Sequence, residues 1–202
     1  MHVDAALSQL SEIHAQLLRS EVFRGYRSRS MATTSGLALL GALVQPLLAL
    51  DGDGFARFWM AVAALCCALC AFDLYRSSRA SDAERARTLR VVGQIAPAFA
   101  AGAVLPFVLL RPEIGVPCLL PGLWALVFGL AVFASRPFLP RAVGWVGLWY
   151  CAAGIAQLVW AERGTPSPWS MGATFGVGQG LAALVLHLGI ERPLDARRGE
   201  AT

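Results

Sequence analysis

The feature that most constrains this chain is the length of its apolar blocks: six stretches of about twenty residues, at 32–50, 55–75, 91–110, 114–135, 142–161 and 170–190. At 1.5 Å rise per residue, about twenty residues cross roughly 30 Å of hydrocarbon. Backbone placed there has no water to bond, so each block must satisfy its own N–H and C=O groups, which a helix does within one segment. The blocks therefore predict an all-α integral membrane bundle of six transmembrane helices. Composition agrees: only 15% of residues are charged, against about a quarter in an ordinary soluble domain.

Charge sets the orientation. All seventeen basic residues are Arg. Fourteen fall in the N-terminal segment (Arg19, Arg24, Arg27, Arg29), the 76–90 loop (Arg76, Arg79, Arg85, Arg87, Arg90), the fourth connection (Arg136, Arg141) and the tail (Arg192, Arg197, Arg198). The alternate connections hold only Arg57, Arg111 and Arg163, near Asp51, Asp53, Glu113 and Glu162. Positively charged loops stay in the cytoplasm, so both termini are expected there, with Trp59, Trp160 and Trp169 as anchors near the outer ends and Tyr75 and Trp145 near the inner ends. The net charge of +4 is spread between apolar blocks, which is not a nucleic-acid footprint. Missing Lys beside abundant Ala, Gly and Arg fits a GC-rich bacterium, hence a bacterial inner membrane. Residues 1–30 have no apolar core and carry Asp4, Glu12 and Glu21, unlike a cleavable leader. The expected organisation is a cytoplasmic amphipathic helix and basic anchor over 1–30, a six-helix domain over 31–190 and a cytoplasmic tail over 191–202. A faint likeness between 122–130 and 180–188, and between the Arg90 and Arg141 helix starts, is compatible with three tandem hairpins.

The N-terminal segment is patterned. On a helical wheel Val3, Leu7, Leu10, Leu17 and Leu18 share a face with His14 and Glu21, opposite Gln9, Glu12, Gln16 and Arg19. Two readings stand: a docking or self-association helix with a titratable His14, or a helix lying across the mouth of its own bundle. It runs into Arg24, Tyr26, Arg27 and Arg29, suited to anionic lipid headgroups at on the order of 1 kcal/mol per Arg. The run Arg-Ser-Glu-Val-Phe-Arg-Gly-Tyr-Arg-Ser at 19–28, followed by a small-residue helix, resembles a group of uncharacterised bacterial multi-pass membrane proteins. The resemblance covers about ten residues and implies no activity.

Polar and special residues inside the blocks are the other candidates. Cys66, Cys70 and Asp73 share a helical face, with Cys67 adjacent. Soft thiols suit Cu(I)-like metals, and a vicinal pair in a membrane helix resembles mercury-uptake proteins. No metal-binding head domain, Met cluster or loop Cys pair accompanies it, and buried Cys ordinarily packs as a small hydrophobe. The five cysteines, Cys118 and Cys151 included, are expected as reduced thiols with no metal bound, and Asp73 is expected to pair with Arg76. Gly172, Gly176 and Gly180 form a ladder permitting close helix approach. His187 continues that side and is expected to face protein, with Glu191 one turn on. Gln45, Gln94, Gln157 and Gln179 read either as interhelical glue or as functional polar groups. Pro97, Pro106, Pro117 and Pro121 each remove a backbone donor and are expected to kink their helices and free carbonyls.

No phosphate-binding Gly-rich loop, His-Glu-x-x-His or Ser nucleophile elbow is present, nor a pair of intramembrane His. The expected function is of interaction or regulatory type without catalysis or cofactor, with a homo-oligomer or a membrane partner as alternatives for assembly. A small-solute or ion transporter, including a soft-metal one, is the second reading, and a membrane-embedded enzyme the third. A carrier predicts that Gln94, Gln179 and Pro97 converge on a solvated cavity. An interaction protein predicts a filled core and an exposed apolar face on residues 3–18. An enzyme needs two converging ionisable groups.

Overall fold

The computed structural model describes residues 28–50, 52–79, 82–161 and 166–191, so the expectations for 1–27 and for the tail beyond 191 lie outside the described residues. Among the described residues six α-helices follow one another: α1 Ser28–Val44, α2 Gly52–Ser78, α3 Asp82–Leu109, α4 Leu120–Ser135, α5 Val143–Val159 and α6 Pro168–Leu186, the last ending in a wider turn at His187–Glu191. Among the described residues there is no strand.

Five segments are long and apolar enough to cross a membrane: Ser28–Leu48, Gly52–Arg76, Thr88–Leu109, Pro117–Ser135 and Pro168–Gly189. The fifth expected span falls on α5, whose 17 residues make it shorter. At 1.5 Å per residue its helix is about 26 Å long. All six apolar blocks are therefore helical, and five meet the length of a full crossing.

Two close pairs form the frame. The most extensive packing is α1 on α6, followed by α4 on α5. Bare backbone makes both possible. A Cβ built on Gly172 would overlap Ala42 Cβ and stand 3.1 Å from the Ala38 carbonyl, and one on Gly176 would meet Leu39 Cδ2 at 2.6 Å. Ser35 then donates to the Gly176 carbonyl at 2.6 Å. The glycine ladder thus faces α1, and the contact loosens toward Gly180, where a Cβ would meet only Ser35 Oγ at 3.4 Å. In the second pair a Cβ on Gly154 would lie 2.8 Å from the Gly122 carbonyl. His187 departs from expectation: it is exposed.

Polar side chains stitch the helices. Trp59 Nε1 donates to Gln45 Oε1 at 2.8 Å, between α2 and the 3₁₀ turn Gln45–Leu48 that follows α1. Trp149 Nε1 donates to the Thr174 carbonyl at 2.9 Å, and Gln157 Nε2 to the Ser170 carbonyl at 3.0 Å and to Thr174 Oγ1. Gln45 and Gln157 are interhelical glue. Trp59 is correspondingly a core residue, 1% exposed, and not the interfacial anchor the sequence predicts; its N–H has found an amide instead of a headgroup. Trp145, Trp160, Trp169 and Tyr75 are exposed near helix ends.

At the arginine-rich end Ser30 Oγ donates to the Asp73 carboxylate, tying α1 to α2. Asp73 does not take the expected Arg76 partner. Arg76 instead lies over the Phe72 ring, 5.7 Å from its centroid, and Arg79 over Tyr75 at 5.5 Å. Both pairs are four residues apart, so each guanidinium extends back along its helix over an aromatic face and keeps its outer edge free for water.

Candidate functional site

The site is built from the two helices that pack least. Within their spanning segments only 17% of α2 and 11% of α3 is buried, against 33–44% for those of α1, α4 and α6. α2 is fastened through Asp73 to α1 and through Trp59 to the turn that follows α1. α3 leans mainly on α4, and α2 and α3 touch little. The space left between them and the α1–α4–α6 wall is a cavity of about 380 Å³.

Every lining residue lies inside one of the five long apolar segments. Aromatic rings dominate: Trp59 from α2, Phe99 and Phe107 from α3, Trp124 and Phe128 from α4, and Phe175 from α6. Phe128 and Phe175 are held edge-to-face at 5.7 Å, and the fully buried Tyr150 backs both, at 4.8 Å and 5.4 Å. The Tyr150 hydroxyl is buried and has no partner among the described residues. Gly178 gives the ring room, since a Cβ there would meet Tyr150 Cε2 at 2.7 Å.

Prolines shape the α3 wall. Pro106 lies inside α3 and offers no N–H to the carbonyl four residues back, that of Gly102. Trp124 Nε1 donates to the Gly102 carbonyl at 2.7 Å, supplying the missing donor from α4. The carbonyl that Pro106 frees is therefore taken. Pro117 and Pro121 do not interrupt a helix as expected: Pro117 opens a short 3₁₀ turn, Pro117–Leu119, and Pro121 sits in the first turn of α4. Backbone N–H groups are unpaired at a helix start in any case, so proline there costs nothing.

The polar content of the wall is small. Thr34 donates to the Met31 carbonyl at 2.9 Å, so its hydrogen is committed. Trp59 and Trp124 have spent their N–H groups on Gln45 and Gly102. Cys66 and Cys67 line the cavity as free thiols, whereas Cys70 packs near Met31 and Leu186. Gln179, half-buried in the middle of the α6 segment, is the one amide in the wall, and no hydrogen bond among the described residues ends on it.

Of the residues expected to converge in a carrier, only Gln179 lines this cavity; Gln94 and Pro97 are exposed on α3. Sequence reasoning did not single out Thr34, Phe99, Trp124, Phe128 or Phe175. The i, i+4 pairs Trp124–Phe128 and Phe175–Gln179 were the available signal, since four residues place side chains on one helical face. Comparison with protein-family models, with curated proteins and with solved structures gives no match to this chain.

Proposed function

We propose that this chain is an integral membrane protein of interaction or regulatory type that works by binding an apolar small molecule from within the bilayer, without catalysing a reaction. The observation that carries this reading is the cavity, which departs from the filled core expected of an interaction protein: about 380 Å³, apolar, aromatic-walled and contained within the spanning segments. Small-molecule sites occupy about 300–1,000 Å³ and are mostly apolar with a few placed polar groups. This one also meets that description in having a single amide. Its test is native mass spectrometry of the protein released from mild detergent. A co-purifying membrane molecule bound one-to-one, and lost in Gly102→Phe, is expected. A parent protein that carries none, and takes up none when membrane extract is added back, overturns the reading.

The proposal includes a topology. The six helices cross a bacterial inner membrane as a multi-pass bundle, with α5 the short crossing and the arginine-rich connections in the cytoplasm. Arg24, Tyr26, Arg27 and Arg29 meet anionic headgroups there. The fourteen-to-three distribution of Arg supports this, as does the exposure of the terminal aromatics. A reporter active only in the periplasm is expected to give signal when fused after residue 54, 112 or 165 and none after residue 83; signal at 83 refutes the orientation.

A transporter of small solutes or ions is the second reading, favoured by Pro97 and Pro106 inside α3 and by Gln179 in the wall. Freed carbonyls build ion sites in carriers, but the Gly102 carbonyl is occupied by Trp124. Proteoliposomes are therefore expected to be no more permeable to alkali cations or copper than empty vesicles. Flux abolished by Gln179→Leu would establish the second reading instead.

A further inference from the structure

We propose that the cavity takes a neutral, planar carbonyl compound on a long apolar chain, of the isoprenoid quinone class, with a ring carbonyl accepting a hydrogen bond from Gln179 Nε2. This rests on the binding reading above and specifies its ligand.

Three observations converge. The first is the uncommitted amide. An unpaired amide in hydrocarbon costs several kcal/mol, and the indoles and the threonine of the wall have already spent their hydrogens. An occupant that brings an acceptor to Gln179 is therefore preferred over one that does not.

The second is depth. Gln179 lies near the centre of the Pro168–Gly189 segment. Half of a roughly 30 Å hydrocarbon layer places the midplane about 15 Å from the level where a phospholipid holds its ester carbonyls. A bilayer phospholipid whose tail entered this cavity would present only methylene and methyl groups to the amide. The acceptor has to belong to a molecule that dissolves in the hydrocarbon and carries its carbonyl to the centre.

The third is shape. Trp59, Phe99, Trp124, Phe128 and Phe175 offer ring faces and edges, and planar π-systems stack on such walls in offset or edge-on fashion at about 0.5–1.5 kcal/mol per pair beyond area burial. The sparse contact between α2 and α3 leaves room beside them for the attached chain.

The probe is decylubiquinone, a short-chain quinone that quenches tryptophan fluorescence, added to the full-length protein in phospholipid nanodiscs. Saturable quenching is expected in the parent. Gln179→Leu keeps side-chain bulk and removes the donor; it is expected to weaken binding about five- to tenfold, the factor one neutral hydrogen bond supplies. Squalene, apolar and without an acceptor, should not compete tenfold better against the parent than palmitate does, and neither should displace the quinone at equal concentration. Gly102→Phe projects a ring into the cavity from a position where a Cβ meets only Val127 Cγ1 at 3.9 Å, and is expected to abolish saturation. Saturable quenching lost in Gly102→Phe but unchanged in Gln179→Leu would refute the acceptor at Gln179 while leaving an apolar ligand in place. Palmitate displacing the quinone at equal concentration would assign the carbonyl to an acyl source and overturn the quinone. Quenching that rises linearly in the parent would remove the ligand and the binding reading together. Should Gly102→Phe fail to fold, the Gln179→Leu comparison still decides the proposal.

Discussion

Replacing Trp124 by Phe tests whether α4 repairs the backbone of α3. The indole N–H donates at 2.7 Å to the Gly102 carbonyl that Pro106 leaves without its helical partner. Trp124→Phe keeps a ring in the wall and deletes the donor. A net hydrogen bond contributes about 0.5–1.5 kcal/mol, and stranding a buried acceptor costs about 1–3 kcal/mol. A destabilisation of about 2 kcal/mol is therefore expected, read as a lowered midpoint in reversible unfolding from mixed micelles. Loss of indole packing alone would give a similar sign, so the second arm of a double-mutant cycle is required. Pro106→Ala restores an N–H four residues beyond Gly102. In the Trp124→Phe background that N–H has a free acceptor, whereas in the parent it competes with the indole. The cycle should show a coupling of about 1–2 kcal/mol, with the double variant more stable than the two single effects predict. Additivity within about 0.5 kcal/mol, or a neutral Trp124→Phe, would refute the argument that the indole substitutes for the proline's missing donor.

Three further outcomes follow from the packing. Along α6, a single added methyl should be graded by position: Gly172→Ala, which meets Ala42 and the Ala38 carbonyl, should cost about 1–3 kcal/mol, Gly176→Leu should be worse, and Gly180→Ala should be near neutral; Gly172→Ala as heat-stable as the parent would show that α1 does not seat there. Gln45→Leu strands the Trp59 N–H in the core, at about 1–3 kcal/mol, and Trp59→Phe in the same chain should recover part of the loss in thermal unfolding. Cys66, Cys67 and Cys70 replaced together by Ala should leave expression and thermal stability within about 1 kcal/mol of the parent, as expected of small packing groups; copper retained stoichiometrically by the purified parent and lost in this variant would promote the metal reading.

The location of the helices was legible in the sequence because hydrocarbon thickness imposes a length, and that length is written directly in runs of apolar residues. Helix ends moved by up to nine residues: the first begins at Ser28 where apolarity begins at 32 and the third at Asp82 where it begins at 91, since a helix continues into its polar flank as long as backbone bonds allow, whereas the fourth begins only at Leu120, after the Pro117–Leu119 turn. The glycine side of α6 was legible too, because four-residue spacing lines up one face whatever surrounds it. Its partner, α1, the helix farthest away in sequence, was not.

Which side of each apolar helix faces protein was decided only by tertiary structure. In water the inward face is marked by its apolarity; in a membrane both faces are apolar, so periodicity distinguishes nothing. That is why Trp59 read as an interfacial anchor and proved to be core, and why the i, i+4 pairs Trp124–Phe128 and Phe175–Gln179 marked a shared helical face without showing that Phe99 and the other helices complete a common wall with them. It is also why four glutamines of equal standing in the sequence separated into three fates: Gln45 and Gln157 bond across helices, Gln94 points outward, and Gln179 faces the cavity. A proline likewise announces only a missing donor. Whether a carbonyl stays open, as the one behind Pro106 does not, depends on what the neighbouring helix brings within reach, and the sequence determines that neighbour only through the assembled bundle.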